Sequence, residues 1–312
     1  MDTDPAPEAK KGRIAAAAAA ARDRAEAVEA WGEARRQQSP WAAWLYDVAE
    51  RDRDCGGGLL AGALAYRFFI WLLPFVLVLV GGLGVISAAA SETPEELAGE
   101  ASMSSLVTAS VQSAANSNAR WYALLIGIPI LLYTTRTLLR SLMGVNRLIW
   151  TARVRRAKPT VLQTLGFLAI MTSFPLVSGV ASAARASSTS TGVVVTLGAT
   201  AVYGTLWFLI SWWLPHADAP RSALLPGSVV FAVGTLGLHV FWAYFVGPLA
   251  SSRHDTYGSL GIAAALLLGL YFLGRLLVVS GAVNATLWER RHADRQEAPP
   301  DGGSVEGGLG SL

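Results

Sequence analysis

The chain has 312 residues, 53% hydrophobic and 15% charged, with a net charge of +3 and a mean hydropathy of +0.41. Soluble domains carry about 25% charged residues, so this balance excludes an ordinary water-exposed globule and points to lipid. The single Cys55 excludes an intramolecular disulfide, and the small positive charge suits anionic headgroups without implying nucleic acid.

Residues 1–12 read as disordered, and the run IAAAAAAARDRAEAVEAWGEARRQQ (14–38) as a low-complexity, solvated helix with strong Ala, Glu and Arg propensity. Together, 1–38 form a cytoplasmic N-terminal segment. Residues 1–30 lack the compact apolar region of a cleavable signal peptide. Residues 39–56 open with Ser39 as a helix cap and Pro40 at the first helical position. Trp41, Trp44, Leu45 and Val48 then fall on one stripe, opposite Asp47, Glu50 and Arg51. Such a helix lies in the membrane interface or packs on the helical bundle, and the pattern leaves both open.

Six apolar segments follow, at roughly 59–88, 121–146, 160–183, 192–213, 224–248 and 258–287. Each is about 20 residues or longer, enough to cross a ~30 Å hydrocarbon core. The third is the weakest. Alternating barrel strands are absent, so the fold expected is all-α: a polytopic membrane bundle of about six helices over 57–288, preceded by the interfacial helix. Residues 289–312, rich in Gly and Pro, read as a disordered cytoplasmic tail. Basic residues divide unevenly. Eleven flank one side (Arg51, Arg53, Arg147, Arg153, Arg155, Arg156, Lys158, Arg221, Arg290, Arg291, Arg295), and three (Arg120, Arg185, Arg253) the other. This places both termini in the cytoplasm and the Glu-rich loop at 89–120 outside.

Four arginines, Arg67, Arg136, Arg140 and Arg275, fall inside these segments, and no Asp or Glu does. An intramembrane Arg costs about 2.5 kcal/mol or more, so water, carbonyls, hydroxyls or an external anion must meet these charges. Tyr133, Arg136, Arg140 and Arg147 are spaced to share a helix face, as are Tyr271 and Arg275. One expectation is a shared anion- or lipid-binding cavity lined by Arg67, Tyr133, Arg136, Arg140, Tyr271 and Arg275. The competing one is snorkelling to the interface, strongest for Arg140 and Arg147. On the cavity reading, replacing Arg136 or Arg275 with Leu leaves the protein folded, with a desolvated charge removed. Pro74 removes a helix hydrogen bond and kinks its span, as a static bend or, less simply, a hinge. Tyr133–Asn146–Trp150 and Tyr271–Asn284–Trp288 have identical spacings, a weak hint of duplication that two Leu-rich helices also produce by chance.

Catalytic patterns are missing. His216, His239, His254 and His292 form no metal spacing, and there is no HExxH, CxxC, P-loop or GxSxG. His239 reads as a packed core residue. No cofactor and no enzymatic activity are expected.

Three motifs carry a resemblance. RDCGGGLLAGALAYRFFIWLLPFVLVL, TRTLLRSLMGVNRLIW followed by RVRRAKPTV, and YGSLGIAAALLLGLYFLGRLLVVSGAVNATL resemble the first, second and last spans of the YihY/virulence factor BrkB family of inner-membrane proteins. The resemblance covers roughly 50–290. It departs at Arg67, which follows the motif tyrosine, and at Arg275, where the family is usually apolar. It implies a multi-pass protein of the bacterial inner membrane, with suggested roles in envelope integrity and transport. The family's former ribonuclease BN label does not fit, because no acidic or His cluster is present to hold metal and water. Two functions are open: a transporter or lipid/anion conduit, and a non-transporting envelope scaffold that recruits partners or anionic lipids.

Overall fold

The computed structural model describes residues 39–90, 119–150, 158–185, 189–217, 219–241 and 254–297, with scattered helical positions between 15 and 30. Most of 1–38 and residues 91–118, 151–157, 186–188, 218, 242–253 and 298–312 lie outside the described residues, and with them most of the external segment expected at 89–120 and the end of the fifth apolar segment.

Every regular element among the described residues is helical: α1 Pro40–Asp54, α2 Gly57–Ala90, α3 Ala119–Ile149, α4 Val161–Arg185, α5 Thr189–Trp213, a 3-10 turn Arg221–Leu224, α6 Leu225–Phe241 and α7 His254–Glu297. Six of them are long and apolar enough to cross a membrane: Gly57–Gly82, Trp121–Ile149, Val161–Ser182, Gly192–Trp213, Arg221–Phe241 and Ala263–Ala293. These are the six segments that hydropathy alone marks. The last helix runs on to Glu297, so 289–297 continue the helix instead of beginning a tail.

Helix starts and stops follow local chemistry. α1 begins at Pro40, where the Ser39 carbonyl accepts the Ala43 N–H at 3.0 Å. In this helix Trp41 and Leu45 are exposed and Val48 is buried, with the Trp41 and Trp44 rings 5.2 Å apart. Gly56 ends α1 at φ 68°, the left-handed conformation glycine tolerates best. α4 opens on a capping box: Thr160 Oγ1 accepts the Gln163 N–H at 3.2 Å, and Gln163 Oε1 accepts the Thr160 N–H at 3.0 Å.

α2 and α3 form an antiparallel pair. Gly81 lies against Leu124, Gly127 against Val78, and the Trp71 indole N–H donates to Thr135 Oγ1 at 2.9 Å. That hydroxyl in turn donates to the Leu131 carbonyl at 2.6 Å, so a wholly buried Thr135 is satisfied twice. Pro74 lies buried inside α2, one residue before Phe75, whose ring stacks on Trp71 at 4.7 Å. α7 packs on α2, α3 and α6, and its Gly274 comes so close to α2 that a Cβ there would stand 2.6 Å from the Ala61 carbonyl oxygen.

Candidate functional site

The arginines separate. Arg275 is held by a carboxylate: its Nη1 donates to Asp52 Oδ1 at 2.9 Å and its Nη2 to Oδ2 at 2.8 Å. The pair is half-sheltered, with Arg275 31% and Asp52 15% exposed. This corrects the expectation that no carboxylate meets Arg275. Asp52 sits in the last turn of α1, just outside the apolar segments, and the tight turn through Gly56 returns it to the start of α2. A Cβ on Gly57 would run into the Asp52 carboxylate and stand 2.9 Å from Arg275 Nη1, so a bare backbone at 57 leaves the pair its room. Cys55 Sγ donates to the Asp52 carbonyl at 3.4 Å, and the Tyr271 hydroxyl lies 3.9 Å from where a Gly58 Cβ would be. The one sequence signal for this site is an acidic residue shortly before three glycines.

Arg67 and Arg140 are exposed, Arg136 is half-buried and Tyr133 is 69% exposed. None of the three arginines has a hydrogen-bond or ion-pair partner among the described residues. Of the six residues expected around one cavity, Tyr271 and Arg275 lie by the α1–α2 turn, Arg67 lies on α2, and Tyr133, Arg136 and Arg140 lie on α3.

Of the two asparagines with matching offsets, Asn146 holds the connection between α5 and α6 and Asn284 the first turn of α6. Asn146 Nδ2 donates to the Pro215 carbonyl at 2.6 Å. Asn284, 2% exposed, accepts the Gly227 N–H on Oδ1 at 2.7 Å, satisfying a donor in the first turn of α6. Their companions Trp150 and Trp288 meet with ring centroids 5.8 Å apart. Arg221, in the same connection, lies 4.1 Å over the Trp212 ring.

Sequence reasoning missed two neighbouring pockets, together called the chamber below: the first between α4, α5, α6 and α7, the second reaching α2 and α3 as well. One part, about 410 Å³, is lined by Ser178, Thr196, Thr200, Tyr203, Thr235 and His239 together with apolar side chains. His239 is exposed on this wall, not packed in the core as its sequence context suggests. The adjoining part, about 250 Å³, is apolar and aromatic and includes Trp71, Phe75, Trp207 and Phe231. Phe174, Pro175, Leu270 and Leu273 line both parts. Thr196, Thr200 and Thr235 each donate their hydroxyl hydrogen to a carbonyl one turn back in their own helix, at 2.8 Å. They therefore offer the chamber oxygen lone pairs. In the apolar part, the Trp207 indole N–H is buried without a partner among the described residues. The weak sequence cue is polar side chains at helical spacing, Thr196–Thr200–Tyr203 and Thr235–His239, which resemble ordinary membrane packing.

Six helices long and apolar enough to cross a membrane define a multi-pass α-helical membrane protein. The chain belongs to the virulence factor BrkB family, whose sequence model matches residues 49–303. It is also similar to the putative ribonuclease-like protein YfkH of Bacillus subtilis (strain 168), 25% identical over 111 residues. That match covers 30% of this chain and 40% of YfkH. No solved structure matches.

Proposed function

We propose that this protein is a non-enzymatic conduit of the bacterial inner membrane, with both termini cytoplasmic, that handles a lipid or similar amphiphile in the chamber. The observation that carries this reading is the chamber's two-part lining. The hydroxyl-bearing part, about 410 Å³, falls within the size range of small-molecule sites. The adjoining apolar part suits hydrocarbon. Three threonines whose hydrogens are already engaged favour a headgroup that brings its own N–H or O–H donors, such as an amine or polyol. The unpartnered Trp207 N–H accounts for itself if the bound molecule brings an acceptor deeper in.

Proteoliposomes carrying acyl-labelled phosphatidylethanolamine test this, with an impermeant quencher reporting label that reaches the outer leaflet. Wild type is expected to move label faster than protein-free liposomes. Ala199→Phe, which fills the hydroxyl-lined part, is expected to cut that rate about tenfold or more while the protein stays folded. Label movement no faster than in protein-free liposomes would remove the conduit and leave the envelope scaffold.

The orientation is tested separately in a Cys55→Ser background. An impermeant thiol reagent should label a cysteine at position 100 from outside, but not one at position 5 or 305. The reverse pattern would overturn the orientation read from the basic flanks.

A further inference from the structure

We propose that Tyr133, Arg136 and Arg140 of α3, with Arg67 at the same level of α2, form an outward-facing docking surface for the phosphate headgroup of an anionic phospholipid. The surface is separate from the chamber and does not depend on what the chamber carries.

The register of the α2–α3 pair supplies the first support. Gly81 against Leu124, Gly127 against Val78, and the Trp71–Thr135 hydrogen bond step along the two helices in opposite directions. Arg67 lies four residues from Trp71 and Arg140 five from Thr135, toward the same end of the pair. At 1.5 Å per residue these are offsets of about 6 and 7.5 Å, so the two residues stand at nearly the same level of the helix pair. Tyr133, Arg136 and Arg140, at spacings of 3 and 4, share one face of α3. Tyr133 is 69% exposed, and Arg67 and Arg140 are exposed as well.

Charge supplies the second support. Arg67 is ten residues into its span and Arg140 nine from the end of its own, about 15 and 13.5 Å along the helices. Neither α2 nor α3 contains an Asp or Glu. No ion-pair partner for Arg67, Arg136 or Arg140 is present among the described residues. Cations at such depth are costly unless they meet water, dipoles or an anion. A phosphate diester, met by guanidiniums reaching along their stems toward the interface, supplies the anion, and the planar guanidinium fork matches its oxygens two at a time. The neighbouring exposed side chains, Leu73, Leu77, Ile126 and Ile130, are apolar and suit the lipid's acyl chains. A second copy docked by two-fold symmetry would instead set the same cations face to face.

The test uses the full chain in nanodiscs of phosphatidylcholine alone, or with phosphatidylglycerol added, and follows the thermal midpoint. Phosphatidylglycerol is expected to raise the wild-type midpoint by several degrees, and Arg136→Leu/Arg140→Leu to lose at least half of that rise. Arg140→Gln, a milder change at an exposed position, is expected to lose part of it should the double variant not fold. Lys at the same positions should restore little, lacking the two-pronged contact. Ala199→Phe should keep the full rise, which separates failure of this surface from failure of the chamber. Equal rises in wild type and both arginine variants would leave snorkelling arginines and overturn the proposal. So would an equal rise from inorganic phosphate added to phosphatidylcholine discs, which would indicate a site for free anions. A phosphatidylglycerol-independent dimer broken by the same substitutions would overturn it in favour of a protein interface.

Discussion

Asp52→Asn is expected to destabilise the folded protein by about 2–3 kcal/mol. A buried ion pair broken on one side costs about 3–5 kcal/mol, and the partial exposure of both side chains here, 31% and 15%, reduces that through solvent screening. Arg275→Leu should cost a similar amount, because it leaves the Asp52 carboxylate sheltered and unpaired. This reverses the expectation, drawn from the apolar segments alone, that removing Arg275 only removes a desolvated charge. The two losses should not add: the double variant Asp52→Asn/Arg275→Leu should be more stable than the sum of the single effects implies, by about 1 kcal/mol or more. Thermal unfolding of the three variants in one detergent checks this. Additive losses would show that the two groups do not depend on each other. Gly57→Ala provides an independent probe, since its Cβ runs into the Asp52 carboxylate and should weaken the same pair without altering a charge.

Gly274→Ala is expected to cost about 2–3 kcal/mol, in the upper range for overpacking. The added methyl would stand 2.6 Å from the Ala61 carbonyl oxygen and 3.2 Å from its carbonyl carbon and Cα. All three are backbone atoms of a helix, so relief requires α2 and α7 to separate instead of one side chain turning aside. Gly82→Ala is the control: a Cβ there meets nothing within 4 Å, and helix propensity then favours alanine slightly. Folded yield and thermal midpoint should fall for Gly274→Ala and hold or rise for Gly82→Ala. Equal behaviour of the two would refute the close α2–α7 approach.

What the linear chain determined is the part of the structure written locally. A span is an uninterrupted apolar length of about 20 residues, so the six spans and the membrane class follow from hydropathy, and the helix start at Pro40 from its neighbours. The tertiary structure decided every pairing across the bundle. Arg275 meets Asp52 across 223 positions, Asn146 meets Pro215 across 69, and Asn284 meets Gly227 across 57. A search for carboxylates confined to the spans passes over Asp52, because the turn at Gly56 folds it back from outside them. Helical spacing set Tyr133, Arg136 and Arg140 on one face, but a face has no direction until its helix packs. α3 buries Leu131, Leu138, Leu142 and Thr135, and that choice leaves Tyr133 and Arg140 exposed. The chamber was the least legible feature. Its walls come from six helices, and Thr196, Thr200 and Thr235 acquire a common neighbour only when those helices assemble.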